Sequence, residues 1–117
     1  MTKGPPRPTP PPERALADLL GLAARARALV HGTDMTRKAV REGEVLAVML
    51  AADGSPAQAQ KLLPLLEARK VPFHVCLSRE ALGSAIGRGP VSAVGITNES
   101  FAKRAAVLAA ALSSPQG

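Results

Sequence analysis

The densest run of chemically usable residues is HGTDMTRKAV, residues 31–40. Gly32, Thr33 and Asp34 stand where a helix would begin. The first N–H groups of a helix have no partner within it, and together with the positive end of the helix dipole they make a ready site for an anion. Arg37, Lys38 and Arg41 continue the basic character along one and a half turns, and Lys38 and Arg41, three apart, share a face. Phosphate recognition is the chemistry this pattern offers. A plainer reading makes Thr33 and Asp34 a helix cap and a dipole complement and leaves the cations solvated. The segment alone supports both.

Other arrangements that could do chemistry are incomplete. A second glycine-bearing loop, GRGP at 87–90, fits neither the G-x-G-x-x-G nor the P-loop spacing, and Gly-Lys-Ser/Thr occurs nowhere. His31 and His74 are far apart and neither has a second ligand at helical spacing, so no metal site is expected. Ser78, Ser84 and Ser92 lie near small residues, but no G-x-S-x-G elbow surrounds them. The single cysteine, Cys76, excludes an internal disulfide and a cysteine cage; in the apolar run VPFHVCL it reads as a small buried hydrophobe. No enzymatic apparatus and no cofactor are expected.

Fifteen Lys and Arg against nine Asp and Glu give a formal charge of +6 and a sequence pI near 10.5, a balance suited to phosphate. With Phe73 and Phe101 as the only aromatics, the chain has no set of stacking side chains for successive bases. A nucleic-acid reading must therefore rest on backbone shape, polar edges and charge. No apolar run approaches the ~20 residues needed to cross a bilayer. The opening MTKGPPRPTPPPER has no apolar core of the signal-peptide kind, which points to a cytoplasmic protein.

The elements that must position these residues follow from periodicity. Six prolines between Pro5 and Pro12 make residues 1–12 an extended, disordered tail. Leu16, Leu19, Leu20, Ala23 and Ala24 mark an amphipathic helix over 13–28. A short extended piece at 29–31 leads to Thr33, read as the cap of a second helix running to about 42 and stopped by Gly43. VLAVMLAA, 45–52, is a strand buried on both faces. Ser55 and Pro56 suit the start of a third helix ending at Arg69 and Lys70, which Pro64 should kink or split. A strand at 71–77, a short helix from Ser78 to about 86, the GRGP loop, a strand at 91–96 and a helix capped by Asn98 and running through 112 complete the chain. Strands alternating with helices predict a three-layer α/β/α sandwich, a single domain over 13–113 with a short tail at 114–117.

The segments LLGLAARARALVHGTDMTRKAV, VLAVMLAADGSP, LLPLLEARKVPFHV and SREALGSAIGRGPVSAVGI, in that order, carry G-T-x-x-T-x-K, A-D-x-x-P, V-P-[FY] and L-G-x-A-x-G. Over about residues 14–110 the chain resembles the kink-turn RNA-binding ribosomal proteins of the L7Ae and L30 kind, and among them the bacterial YlxQ-type members. The resemblance implies a mixed four-stranded sheet with 29–31 as an edge strand, and a non-enzymatic protein that docks structured RNA, ribosomal or kink-turn-like, as a monomer without DNA specificity. It implies an RNA-gripping surface at Gly32, Thr33, Asp34, Met35 and Lys38, with Arg88, Gly89, Pro90 and Val91 in the loop before the last strand.

The match is uneven. Strong RNA binders of this kind carry Asn where this chain has Asp34 and usually Glu where it has Met35. An amide both donates and accepts, whereas a carboxylate only accepts and repels phosphate. The loop is about one residue shorter than the archaeal form, with Arg88 in place of an apolar wedge and Val91 alone left to meet an unstacked base. Arg37, Lys38, Arg41 and Arg88 would still hold phosphate in a salt-dependent way. A protein-interaction module on the same scaffold, contacting its partner through Met35 and Val91, is the alternative.

Overall fold

Two runs of four apolar residues, both wholly buried, form the middle of the sheet, and two shorter strands close its sides. The computed structural model describes residues 12–113. In chain order the elements are α1 (Pro12–Arg25), β1 (Leu29–His31), α2 (Thr33–Arg41), β2 (Ala47–Leu50), α3 (Pro56–Arg69), β3 (Phe73–Val75), α4 (Arg79–Ala85), β4 (Ala93–Ile96) and α5 (Glu99–Ser113). The sheet order is β1-β4-β2-β3; β4 pairs antiparallel with both β1 and β2, and β3 pairs parallel with β2. This is the mixed four-stranded sheet expected, with β1 on one edge.

Successive side chains of a strand point to opposite faces, and both faces of β2 and β4 are covered. Ala47, Met49, Val94 and Ile96 face a core built with Leu16 and Leu20 of α1, Leu82 of α4 and Ala105 and Ala109 of α5. Val48, Leu50 and Ala93 face Ala39 and Val40 of α2 and Leu62 and Leu66 of α3. The result is a three-layer sandwich, α2 and α3 on one side and α1, α4 and α5 on the other. Gly95 lets α2 sit close: a Cβ there would come within 3.2 Å of the Thr36 and Val45 methyls.

Element ends differ from the sequence expectations where tertiary contacts set them. The tail expected at 1–12 lies outside the described residues except for Pro12, which opens α1, as suits a residue whose missing N–H would have no helical partner. The expected tail at 114–117 also lies outside them. α1 stops at Arg25 rather than 28, because Arg27 adopts a positive φ of 59° and Ala28 N–H closes back on the Ala23 carbonyl at 2.8 Å. The strands are shorter than the apolar runs that contain them. Pro64 neither splits α3 nor ends it; the helix continues to Arg69, started by Ser55, whose hydroxyl accepts from Gln58 N–H at 3.1 Å.

Candidate nucleic-acid interface

Strand register brings three helix starts to one end of the sheet. His31 lies opposite Val94, and Leu50 pairs with both Ala93 and Val75. From the ends of β1, β2 and β3 the chain turns into α2, α3 and α4, and the 87–92 loop returns to the same end before β4. The two regions singled out in the sequence, 31–41 and 88–91, thereby lie at the same end of the sheet.

The start of α2 differs from the sequence expectation. Thr33 is not the cap; it is the first helical residue and is buried, and the cap is Gly32, with no side-chain hydrogen bond. Gly32 has φ 91° and ψ 149°, a conformation that glycine alone adopts without strain, and open space surrounds the position a Cβ would take. The reason for the shift is tertiary. Gly32 N–H donates to the Ala93 carbonyl at 2.8 Å, and its own carbonyl accepts from Thr36 N–H at 3.0 Å, so the first helical turn closes on Gly32. The N–H groups of Thr33, Asp34 and Met35 are left without an acceptor among the described residues. Asp34 is exposed in that turn, where an acid complements the dipole, and Met35 is 55% exposed.

The loop is built by glycine. Gly87, with φ 78°, ends α4 in a Schellman closure: Gly87 N–H donates to the Ser84 carbonyl at 3.1 Å and Arg88 N–H to the Gly83 carbonyl at 2.8 Å. A Cβ on Gly83 would overlap the Gly89 carbonyl, so the loop can lie on α4 only because residue 83 has no side chain. Val91 N–H donates to the Arg79 carbonyl at 3.1 Å and Ala51 N–H to the Ser92 carbonyl at 2.9 Å, anchoring the far side. Arg88, Gly89 and Pro90 are exposed. Val91 is half-buried, packed against the core on the α1 side.

The cations are arranged unequally. Lys38 Nζ lies 3.1 Å from Glu42, an exposed i,i+4 pair that contributes little and opens readily to a stronger anion. Arg37 leans toward α3 and donates from Nε to the Lys61 carbonyl at 3.1 Å. Arg41 is exposed, and its carbonyl accepts from Arg69.

Asp53, quoted in the sequence only as part of A-D-x-x-P, proves to be a positioning residue. Its Oδ1 accepts from Arg79 N–H at 2.7 Å and so ties the β2–α3 turn to the start of α4. Its signal was an acid in a turn, a type that commonly accepts from a helix start. The cleft beside the start of α2, between Thr33, Gly54, Ser55, Gln58 and Ser92, holds only about 30 Å³, whereas an open groove of about 640 Å³ runs between α4 and the loop, lined by Ser84, Arg88 and Pro90. Among the described residues no group of three or more His, Cys, Asp or Glu is placed to hold a metal ion. Cys76 is half-buried, and burial raises its thiol pKa above the ordinary value, which keeps it protonated and unreactive. His74 lies half-buried on the edge strand β3.

A three-layer sandwich whose sheet end presents a glycine-capped helix start beside a glycine-built loop defines the class of L7Ae-like α/β proteins. The chain belongs to the ribosomal protein L7Ae/L30e/S12e/Gadd45 family, whose model matches residues 14–106. It is 37% identical over 86 residues to the RNA-binding protein YlxQ of Bacillus subtilis, covering 74% of this chain and 86% of that one. It is 31% identical over 87 residues to the large ribosomal subunit protein eL8 of Picrophilus torridus, covering 74% and 68%. A solved structure of a protein of unknown function from Bacillus halodurans superposes with a TM-score of 0.76 at 36% identity, covering 80% of this chain and 94% of that one.

Proposed function

We propose that the protein is a non-enzymatic, ribosomal-protein-like RNA binder. It acts through one domain over 13–113 and docks structured RNA, kink-turn-like RNA included, on the start of α2 and the 87–92 loop. The observation that carries this reading is the 2.8 Å bond from Gly32 N–H to the Ala93 carbonyl, which joins the open helix start to the end of the loop as one rigid surface. Free N–H groups at Thr33, Asp34 and Met35 donate to a phosphate or a base-edge acceptor, Gly32 lets the RNA backbone come close, and Lys38 and Arg88 supply charge. Arg37, Arg41, Gly89 and Val91 complete the surface. The names of the relatives in Bacillus and Picrophilus, an RNA-binding protein and a ribosomal protein, agree with it. On this reading the protein works as a cytoplasmic monomer with no preference for DNA.

The test is binding, at near-physiological salt, to a standard kink-turn, to the same duplex with its G·A pairs replaced, and to an unrelated structured RNA. Lys38→Ala and Arg88→Ala should each weaken binding and lower the log–log salt slope by about 1. Unchanged affinity in both variants would overturn the site. The exposure of Met35 favours one second reading, a protein-interaction surface at the same place. Its binding would resist salt, whereas phosphate binding weakens steeply.

A further inference from the structure

Beyond the helix start, α2 and α3 lie side by side, and the seam between them carries four exposed cations: Arg37 and Arg41 from α2, Lys61 and Arg69 from α3. Two of them reach across to main-chain carbonyls of the opposite helix. Arg37 Nε donates to the Lys61 carbonyl at 3.1 Å, and Arg69 Nη1 to the Arg41 carbonyl at 3.0 Å. The Arg41 carbonyl belongs to the last turn of α2, where carbonyls have no helical donor, so Arg69 caps one helix from the other. The Lys61 carbonyl lies in the turn that Pro64 loosens by offering no N–H to Gln60.

A carbonyl orients a guanidinium without neutralising it. Among the described residues no carboxylate lies within 4 Å of any of the four cations. Glu42, the acid at the end of α2, is occupied by Lys38. Arg37 and Arg69 each spend one N–H of five on the seam and keep the rest of a fork that fits phosphate in two-point fashion. Two of the four charges are held at the seam and the other two side chains, Lys61 and Arg41, leave from the residues whose carbonyls hold them; like charges gathered along one seam repel one another, and an anion that spans them relieves this.

We propose that the α2–α3 seam, through Lys61 and Arg69 beside Arg37 and Arg41, extends the helix-start site into a phosphate-binding strip, which takes the sugar-phosphate backbone of an RNA arm leaving that site. The proposal rests on the RNA-binding reading above. Two observations select RNA over an acidic protein. The strip is continuous with the site, since Arg37 lies within one turn of the free N–H groups of Thr33, Asp34 and Met35. Its length also fits: Lys61 to Arg69 spans about 12 Å along α3, room for about three or four successive phosphates of one duplex strand.

The experiment uses the full chain and two RNAs with the same bend, one ending just beyond it and one with an arm longer by a full duplex turn. Wild type should bind the long RNA about tenfold more tightly, with a log–log salt slope steeper by about two. Lys61→Glu, which removes no hydrogen bond of the Lys61 side chain, should abolish most of that advantage and leave the short RNA unaffected. Arg69→Gln should lower the long-RNA slope by about one, and Arg69→Lys, which keeps the charge, should preserve it. Thermal unfolding of the Arg69 variants separates a lost cap from a lost contact. Equal wild-type binding to both RNAs, or equal weakening of both by Lys61→Glu, overturns the strip and leaves the helix-start site standing. If wild type binds neither RNA, the RNA reading itself fails. Binding of polyglutamate that Lys61→Glu abolishes would then assign the seam to an acidic protein and overturn the proposal.

Discussion

Three helices start at the same end of the sheet, and they start differently. α3 begins at Ser55, whose hydroxyl takes Gln58 N–H, and α4 begins at Ser78, whose hydroxyl takes Ala81 N–H at 3.0 Å while Asp53 takes Arg79 N–H. α2 begins at Gly32, which offers no side chain, and three of its N–H groups are open. A helix start that closes on itself serves the fold. One that stays open beside a rigid loop can take its acceptor from outside, because an outside acceptor then replaces only water.

The largest break in this comparison comes from the loop that packs on α4 at the same end of the sheet. Gly83→Ala must push the Gly89 carbonyl away, and it should cost about 1–3 kcal/mol of stability, read as a lower Tm, together with more than tenfold in RNA affinity. Gly32→Ala acts on the open start itself. It forces an L side chain into a conformation reserved for glycine, with about 1–3 kcal/mol of strain, and should weaken RNA binding several-fold even where the fold survives at low temperature.

A smaller change sharpens the contrast instead. Asp34→Asn with Met35→Glu gives the open start a donor and a base-reading acceptor; kink-turn RNA should bind about tenfold more tightly than to wild type, with the G·A-replaced duplex gaining less. Equal gains for both RNAs would count against base reading there. Ser55→Ala and Ser78→Ala form the other arm. Each removes a cap and should cost about 1 kcal/mol in chemical denaturation while RNA affinity stays within about twofold.

Much of the architecture was legible in the residues because local rules and tertiary demands agreed. The apolar run 45–52 contains β2, whose two faces are both covered, so its side chains had no polar alternation to show. Ser55-Pro56 and Ser78 begin helices as their chemistry dictates, and Asn98 does the same for α5, accepting from Phe101 N–H at 3.1 Å. Gly43 and Gly87 stand just beyond helix ends with positive φ, as a Schellman closure requires. Pro64 misled only in part: α3 is held against β2 by Leu62 and Leu66, and that packing outweighs one missing hydrogen bond.

The candidate site was legible as a list of residues and not as an arrangement. Thr33 reads as a cap by type, yet the Ala93 carbonyl, sixty-one residues away in the chain, takes the Gly32 N–H and shifts the helix start by one residue. Asp53 and Gly83 look like ordinary turn and helix residues until the partners they touch are known. Arg37 and Arg41 count as helix charges in the sequence; that Lys61 and Arg69 stand beside them depends on how α2 packs on α3.

By itself, then, the sequence determined which segments become helices and strands, where most of them stop, and that the candidate binding residues cluster at 31–41 and 88–91, since propensity, periodicity and capping act between near neighbours. Only the tertiary structure decided which helix start stays open, what anchors the loop at the same end of the sheet, and which cations stand together. Those depend on contacts between segments distant in the chain, and strand register and helix packing set such contacts only when the whole core closes.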